Sequence, residues 1–208
     1  GHSGDEECKT REGFLIPIIK GWSTELAQEV TSNGVQIHGG MGFIEETGAA
    51  QYMRDARILP IYEGTNAIQA NDFMFRKTIK DNGLTAKIFL DEMIKDCKDN
   101  IQMTNMVNLA IETLDYILNN RDDYEKLSCI SFDYMMGFGY LIGGWLMHKA
   151  KIKARLKLSN KKQNEIFLKS KIVSSDFYNL HILPRIQSHF QIVLNGAEVI
   201  QLTNDSYI

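Results

Sequence analysis

Apolar residues recur at intervals of three and four along most of this chain, and that periodicity predicts amphipathic helices. Strand-like alternation between turn signals is scarce. We therefore predict an all-α fold, an up-down bundle of about five or six helices. The first helix is predicted from about Arg11 to Ile37, with these apolar or small positions: Leu15, Ile18, Ile19, Trp22, Leu26, Ala27, Val30 and Gly34.

Turn-forming residues interrupt this pattern between residues 39 and 83. Gly39-Gly40 is predicted to end the first helix, and a short helix follows from a Thr47 cap to Arg54. The segment 63–66 supplies candidate caps for a further helix that closes at the turn 81–83. Four side chains of that helix are predicted to be partly buried: Ile68, Phe73, Phe75 and Ile79.

The remaining chain is predicted to form a separate unit of three long helices with short polar loops, over Leu84–Asn119, Asp122–Leu156 and Gln163–Leu202. Pro184 should kink or split the last helix. The turn at 81–83 is the predicted boundary between two domains, 1–82 and 83–208. A neighbour is expected to pack closely on four glycines of the middle helix, which each cost about 1 kcal/mol relative to alanine. These are Gly137, Gly139, Gly143 and Gly144.

Composition indicates an ordinary globular protein and argues against two classes of partner. The 208 residues are 44% hydrophobic, and 26 acidic against 23 basic side chains give a net charge of −3. No basic footprint for a nucleic acid stands out. The uncharged run Tyr134–Met147 is shorter than the about 20 residues that span a bilayer, so it predicts a buried helix and no membrane partner. Three scattered cysteines and the absence of a visible signal peptide favour a cytoplasmic protein.

Two short stretches carry candidate chemistry, and the first is QIHGGMGF, residues 36–43. Its glycines could expose peptide N–H groups to a phosphate, because residues without Cβ let a pyrophosphate approach the backbone. The alternative is a helix C-cap and turn, and the spacing is not that of a dinucleotide-binding GxGxxG loop. His38 could likewise reach a ligand or cap the carbonyl groups of the helix end.

The second stretch contains Glu63, which lies beside Ile61, Tyr62 and Gly64. Apolar surroundings disfavour the charged form of a glutamate, as a general base working near neutral pH requires. The alternative is that Glu63 only complements the dipole of the helix that follows.

No metal site is predicted. His148, His181 and His189 have no partner at the usual ligand spacing. The sequence patterns of serine hydrolases, zinc proteases and P-loop enzymes are absent. The methionines at helical spacing are expected to fill the core.

The two stretches occur in the order and spacing of a known family, since QIHGGMGF is followed by YMRDARILPIYEGTNAIQ, residues 52–69. The region from Leu15 to about Lys80 resembles the C-terminal α-helical domain of the acyl-CoA dehydrogenases, flavoenzymes that oxidise acyl-CoA thioesters to 2-enoyl-CoA. Residues 84–208, with FGYLIGGWLMHKA and FLKSKIVSSDFYNLHILPR, resemble the extra helical domain of one branch. That branch includes 3-methylthiopropanoyl-CoA dehydrogenase-like enzymes.

The resemblance implies a role for each residue of the two stretches. Glu63 would be the general base that removes the α-proton of the thioester, and its backbone and Gly64 would bind the substrate. The glycine stretch would take the FAD diphosphate of a neighbouring subunit, which implies a homo-oligomer. Thr65 and Asn66 would also face the cofactor. The residues implied at the diphosphate are Gln36, Ile37, His38, Gly39 and Gly40.

The resemblance also implies that this chain is the C-terminal portion of a larger enzyme, because the N-terminal helical domain and the β-domain of the family have no counterpart here. We expect the isolated chain to be inactive and without stable FAD, since a flavin needs an enclosing pocket. An electron-transfer acceptor would reoxidise the flavin of the complete enzyme. The alternative hypothesis is a non-catalytic helical module that presents an apolar face for self-association.

Overall fold

The computed structural model describes residues 5–159 and 164–202, and every regular element in that part of the chain is helical. The α-helices are α1 Glu6–His38, α2 Gly40–Phe43, α3 Ala49–Ala56, α4 Asn66–Asn71, α5 Leu84–Cys97, α6 Ile101–Asn119, α7 Tyr124–Ser159, α8 Glu165–Phe177, α9 Arg185–Asn195 and α10 Ala197–Gln201. A 3₁₀ turn covers Glu45–Thr47, and π-helical turns cover Asp72–Ile79 and Tyr178–Ile182. The predicted all-α fold is confirmed.

The long helix α1 begins earlier than predicted, because the Asp5 side chain caps it by accepting a hydrogen bond from a first-turn N–H. It ends at Gly39, as predicted, where the backbone turns to a φ of 62°. The chain then runs back along α1 through α3. The predicted Thr47 cap of α3 is wrong: Gly48, with a φ of 79°, precedes the helix, and the Thr47 hydroxyl donates to carbonyls of the preceding turn.

The 36-residue helix α7 is the centre of the bundle, and it packs against α1, α4, α5, α6, α8 and α9. The run 134–147 is largely buried, as predicted from its lack of charge. Side chains from both halves of the chain form one core, in which Phe14, Phe73 and Phe138 are in ring contact. The division into domains 1–82 and 83–208 stays a prediction.

Glycines in the middle of α7 let neighbouring helices approach closely, as predicted. A Cβ on Gly139 would lie 2.3 Å from the Trp22 ring of α1, and a Cβ on Gly137 would lie 2.3 Å from the Phe190 ring of α9. The other two glycines face side chains that follow α8. The absence of side chains at these positions therefore sets how near α1 and α9 lie to α7.

Two of the long helices predicted in the second half are divided in the structure. The helix predicted over 84–119 breaks after α5, because the Asn100 side chain caps α6 by accepting from the N–H of Met103 at 3.2 Å. The last predicted helix is interrupted at Pro184, as expected, and again at Gly196. Its predicted start at Gln163 lies outside the described residues.

A bidentate ion pair ties α9 to α1. Arg185 donates to both carboxylate oxygens of Glu29 and also to the Tyr140 hydroxyl. The hydrogen bonds from the guanidinium hold the pKa of Glu29 below its ordinary value. This pair links the first half of the chain to the last helices.

The Glu29–Arg185 pair should make a small, pH-dependent contribution to stability. Because the folded-state pKa of Glu29 is lowered, the contribution is complete above the ordinary glutamate pKa of about 4.3 and is lost as the pH falls through the folded value. Both side chains are about two-fifths exposed, so it should stay below about 1 kcal/mol. Urea unfolding of the isolated wild-type and Glu29→Gln chains from about pH 7 downward checks this. The difference in free energy of unfolding between the two chains should shrink at low pH. A difference that grows there would contradict the lowered pKa of Glu29.

Candidate functional site

The segment 57–65 connects α3 to α4, and we call it the Glu63 turn. The backbone N–H of Asn66 closes it by donating to the carbonyl of Pro60 at 3.0 Å. Glu63 and Gly64 both have a left-handed backbone, with φ of 54° and 85°. Glycine adopts this conformation freely, whereas a non-glycine residue there costs about 1–3 kcal/mol. The strain at Glu63 therefore has to be supported by contacts around the turn.

Polar side chains of α1 hold the Glu63 turn from its inner side. The Lys20 ammonium donates to the Gly64 carbonyl at 2.7 Å and to the Asn66 side-chain oxygen at 2.9 Å. The Asn66 amide in turn donates to the Glu25 carboxylate at 2.8 Å. Asn66 is buried within this network, so its cofactor-facing role stays a prediction. Its neighbour Thr65 is exposed and caps α4, as predicted.

The Glu63 side chain is exposed, and the adjacent Ile61 and Tyr62 are 46% and 47% exposed. The described residues therefore do not enclose the carboxylate, and an apolar pocket around it needs a surface from elsewhere. The backbone N–H groups of Glu63 and Gly64 have no hydrogen-bond acceptor among the residues that the structure describes.

The second candidate region is the glycine turn, residues 39–43. Its first N–H, on Gly39, bonds back to α1, and a Cβ on Gly39 or Gly40 would meet no atom within 4 Å. The His38 ring nitrogen Nδ1 lies 2.8 Å from the Gly34 carbonyl, so His38 caps the end of α1. All five residues predicted at the diphosphate are exposed: Gln36, Ile37, His38, Gly39 and Gly40. The backbone is thus open at Gly39 and Gly40, whereas Gly42 is buried against Val35.

The two regions lie far apart along the axis of α1. Lys20 contacts the Glu63 turn, whereas His38, the last residue of α1, lies about 27 Å further along the axis at about 1.5 Å per residue. One copy of the chain therefore presents the Glu63 turn and the glycine turn as two separate surfaces. Within each of these two surfaces, the residues predicted for that site lie close together in the chain.

Both regions lie within a match to a protein-family model. Residues 2–76 match a family model described as acyl-CoA dehydrogenase, C-terminal domain, and residues 76–202 match one described as acetyl-CoA dehydrogenase C-terminal like. The chain belongs to the acyl-CoA dehydrogenase family. The resemblance inferred from the motifs in 36–43 and 52–69 is thereby confirmed. The two matches meet near the predicted boundary at residue 82.

Curated acyl-CoA dehydrogenases align with most of the chain. A 3-methylmercaptopropionyl-CoA dehydrogenase from Ruegeria pomeroyi is 40% identical over 85% of this chain and 32% of its own length. The broad-specificity linear acyl-CoA dehydrogenase FadE5 of Mycobacterium tuberculosis is 28% identical over 86% of this chain and 33% of its own length. A butyryl-CoA dehydrogenase from Syntrophomonas wolfei is 28% identical over 82% of this chain. The chain spans about a third of the length of these relatives.

No helix within residues 5–159 and 164–202 is long and apolar enough to cross a membrane. The same residues bring together no group of three His, Cys, Asp or Glu side chains suited to a metal ion. Cys8, Cys97 and Cys129 are free thiols, and burial raises the pKa of Cys97 to about 11.

Sequence reasoning did not single out the α1 side chains that support the Glu63 turn. Lys20 and Thr24 are four residues apart and share one face of α1, away from the apolar positions Leu15, Trp22 and Leu26. Polar residues on such a face ordinarily contact solvent, so no sequence signal marks these two. Their partner, Asn66, lies more than forty positions away in the chain.

Proposed function

We propose that the chain is the C-terminal part of an FAD-dependent acyl-CoA dehydrogenase, which converts acyl-CoA thioesters to 2-enoyl-CoA, and that Glu63 is its general base. The observation that carries this proposal is the Glu63 turn. It presents an exposed carboxylate on a strained backbone beside two free N–H groups. Such an arrangement suits a substrate that needs a base and a hydrogen-bond donor at neighbouring atoms.

In the proposed reaction, Glu63 accepts the α-proton of the thioester and becomes a carboxylic acid. The backbone N–H groups of Glu63 and Gly64 are donors for the thioester carbonyl oxygen, which acidify the α-proton by stabilising the negative charge that develops on that oxygen. The electron pair of the broken Cα–H bond forms the Cα–Cβ double bond as a hydride leaves the β-carbon. Bound FAD supplies the acceptor for that hydride.

The glycine turn fits a diphosphate group of FAD. The space next to Gly39 and Gly40 is open, so a pyrophosphate can reach the backbone where a side chain would obstruct it. Gln36, Ile37 and His38 precede these glycines on the exposed end of α1. Because this turn lies about 27 Å along α1 from Lys20, we infer that it serves the cofactor of a neighbouring subunit in a homo-oligomer.

Gly40→Ala should weaken retention of FAD by the complete protein, about tenfold in affinity or more, because the new methyl group projects into the space that the diphosphate would occupy. Gly34→Ala is the matched control, since a Cβ there also meets no atom of this chain within 4 Å. Flavin released on dialysis, measured by fluorescence, reports the difference. Equal retention by the two variants would remove the glycine turn from the cofactor site.

We further propose acyl-CoA as the substrate and an electron-transfer acceptor as the partner that reoxidises the flavin. Neither a nucleic acid nor a membrane is part of the proposal. The free thiols of Cys8, Cys97 and Cys129 support a reducing compartment such as the cytoplasm.

Expression of the complete reading frame that contains this chain tests the proposed function. We expect a yellow protein that reduces an artificial electron acceptor when acyl-CoA is added. The isolated 208-residue chain, purified in parallel, should bind no FAD and show no turnover, because it leaves the Glu63 carboxylate exposed. A flavin-containing complete protein that oxidises no acyl-CoA, or an isolated chain that does, would contradict the proposal.

Self-association is a second candidate function, and one observation favours it. The segment 16–68 carries large side chains that are each more than two-fifths exposed, and we call this set of side chains the apolar face: Ile16, Ile19, Val30, Ile37, Met41, Phe43, Tyr52, Met53, Ile58, Ile61, Tyr62 and Ile68. The predicted partial burial of Ile68 is therefore wrong for this chain. Exposed apolar surface of this extent is typical of an interface.

We expect the isolated chain to form dimers or larger assemblies at micromolar concentration, through the apolar face. Phe43→Asp should shift it toward monomer, because a carboxylate would be buried without a partner. Phe167→Asp is the control, since Phe167 is a comparably exposed phenylalanine on α8, outside the apolar face. Light scattering during gel filtration measures the mass. A wild-type chain that stays monomeric throughout would argue against this interface.

A further inference from the structure

Lys20 makes contacts that neither the motifs nor the family matches explain. It lies in the middle of α1, and its ammonium donates to the carbonyl of Gly64 at 2.7 Å. That carbonyl belongs to the residue directly after Glu63. The same ammonium donates to the Asn66 side-chain oxygen at 2.9 Å, so one charged group holds both ends of a three-residue segment.

Asn66 is held in one orientation by opposite charges on either side. Its oxygen accepts from Lys20, and its amide nitrogen donates to the Glu25 carboxylate at 2.8 Å and to the Gly21 carbonyl at 3.2 Å. Thr24 also contacts the side-chain amide. Asn66 is only 4% exposed, and Lys20, Thr24 and Glu25 around it are partly buried, so these polar groups satisfy one another. The network is a fixed support rather than a set of surface contacts.

The support acts where the backbone is strained. Glu63 has a φ of 54°, and a glutamate relieved of restraint would favour a negative φ. A change of that kind rotates the Glu63 carboxylate and the adjacent N–H relative to each other. Because a general base and its hydrogen-bond donors act only in a defined mutual geometry, such a rotation would uncouple them.

We propose that Lys20 is a positioning residue for the general base: through the Gly64 carbonyl and Asn66, it holds Glu63 in the left-handed conformation that aims the carboxylate and the free N–H at one substrate. The catalytic part of this inference rests on the proposed function. The structural part, that Lys20 fixes the backbone of residues 63–65, does not.

Hydrogen exchange of the isolated chain tests the structural part alone. Lys20→Met retains the aliphatic stem and removes the ammonium. It should raise exchange of the hydrogen-bonded amides in and closing the Glu63 turn, those of Ile61, Tyr62 and Asn66, by about tenfold or more while leaving α6 unchanged. Lys9→Met is the matched control, because Lys9 is an exposed lysine of the same helix. Unchanged exchange in the Glu63 turn of the Lys20→Met chain would overturn the inference whether or not the protein is an enzyme.

Kinetics of the complete protein test the catalytic part. Lys20→Met should lower kcat by about ten- to a hundredfold with KM changed by less than about threefold. Lys20→Arg should restore part of the rate, because a guanidinium also donates to two acceptors but with a different geometry. If Lys20→Met does not fold, the test uses Lys20→Arg instead. We expect Lys20→Arg to lower kcat several-fold relative to the wild type.

Lys20→Met in a protein that already carries Glu63→Gln distinguishes a positioning role of Lys20 from a general loss of structure. In the Glu63→Gln protein, Lys20→Met should have almost no further effect on the residual rate, because the group that it positions has already been removed. Equal effects of Lys20→Met in both backgrounds would show that Lys20 does not act through Glu63. A complete protein without any turnover would refute the proposed function and leave the hydrogen-exchange result to decide the structural role of Lys20.

Discussion

Glu63→Gln in the complete protein should lower acyl-CoA oxidation by at least about 10²- to 10⁴-fold, because an amide cannot accept the α-proton. Glutamine has nearly the volume of glutamate, and the Glu63 side chain is exposed in this chain. Folding and bound FAD should therefore stay close to those of the wild type. The loss should appear in kcat and in kcat/KM alike, since the carboxylate acts on the reacting atom rather than in binding.

Glu46→Gln is the control for removal of a negative charge, because Glu46 is an exposed glutamate in the turn that precedes α3. It should leave the rate within about twofold of the wild type. A Glu63→Gln protein that turns over at the wild-type rate would assign the base to another residue. A protein that loses FAD together with activity would instead place Glu63 among the cofactor contacts.

Gly139→Ala should destabilise the isolated chain by about 1–3 kcal/mol, although alanine is the better helix former. A Cβ at this position would lie 2.3 Å from Cγ of the Trp22 ring, and that ring is rigid and packed between helices. Since neither the ring nor α7 can yield without disturbing other contacts, overpacking should outweigh the gain in helix propensity of about 1 kcal/mol. Chemical denaturation monitored by circular dichroism measures the change.

Gly34→Ala should have the opposite effect and stabilise the same chain. A Cβ there meets no atom within 4 Å, so helix propensity alone should stabilise the chain by up to about 1 kcal/mol. Combining Gly139→Ala with Trp22→Phe should cost less than the two single changes together, because the smaller ring leaves room for the methyl group. Additive effects, or a stabilising Gly139→Ala, would mean that the contact between α1 and α7 is looser than the structure has it.

The helices that carry a long apolar period were predictable from sequence. In α1 and α7 many positions repeat the same signal, so a few exceptions do not obscure it. The break at Asn100 was not predictable in this way, because a single side chain that caps α6 outweighs a periodicity that continues through it. The predicted Thr47 cap failed for a similar reason, since the Thr47 hydroxyl finds carbonyl acceptors in the preceding turn.

The candidate site was predictable only where a linear motif carries it. Glu63 and the glycines at 39 and 40 stand within motifs, whereas the support of Glu63 by Lys20 depends on α3 folding back along α1. Asn66 is the clearest example. Its place in a motif predicts a cofactor contact, while its burial between Lys20 and Glu25 gives it a structural task that only the fold reveals.

Exchange of the substrate α-hydrogen tests most directly whether Glu63 is the base. Acyl-CoA is incubated with the complete protein in deuterium oxide without an electron acceptor, and mass spectrometry follows deuterium at the α-carbon. The wild type and Glu46→Gln should incorporate deuterium, whereas Glu63→Gln should not. Incorporation by Glu63→Gln at the wild-type rate would contradict the account, since the proton would then leave without the carboxylate on which the mechanism depends.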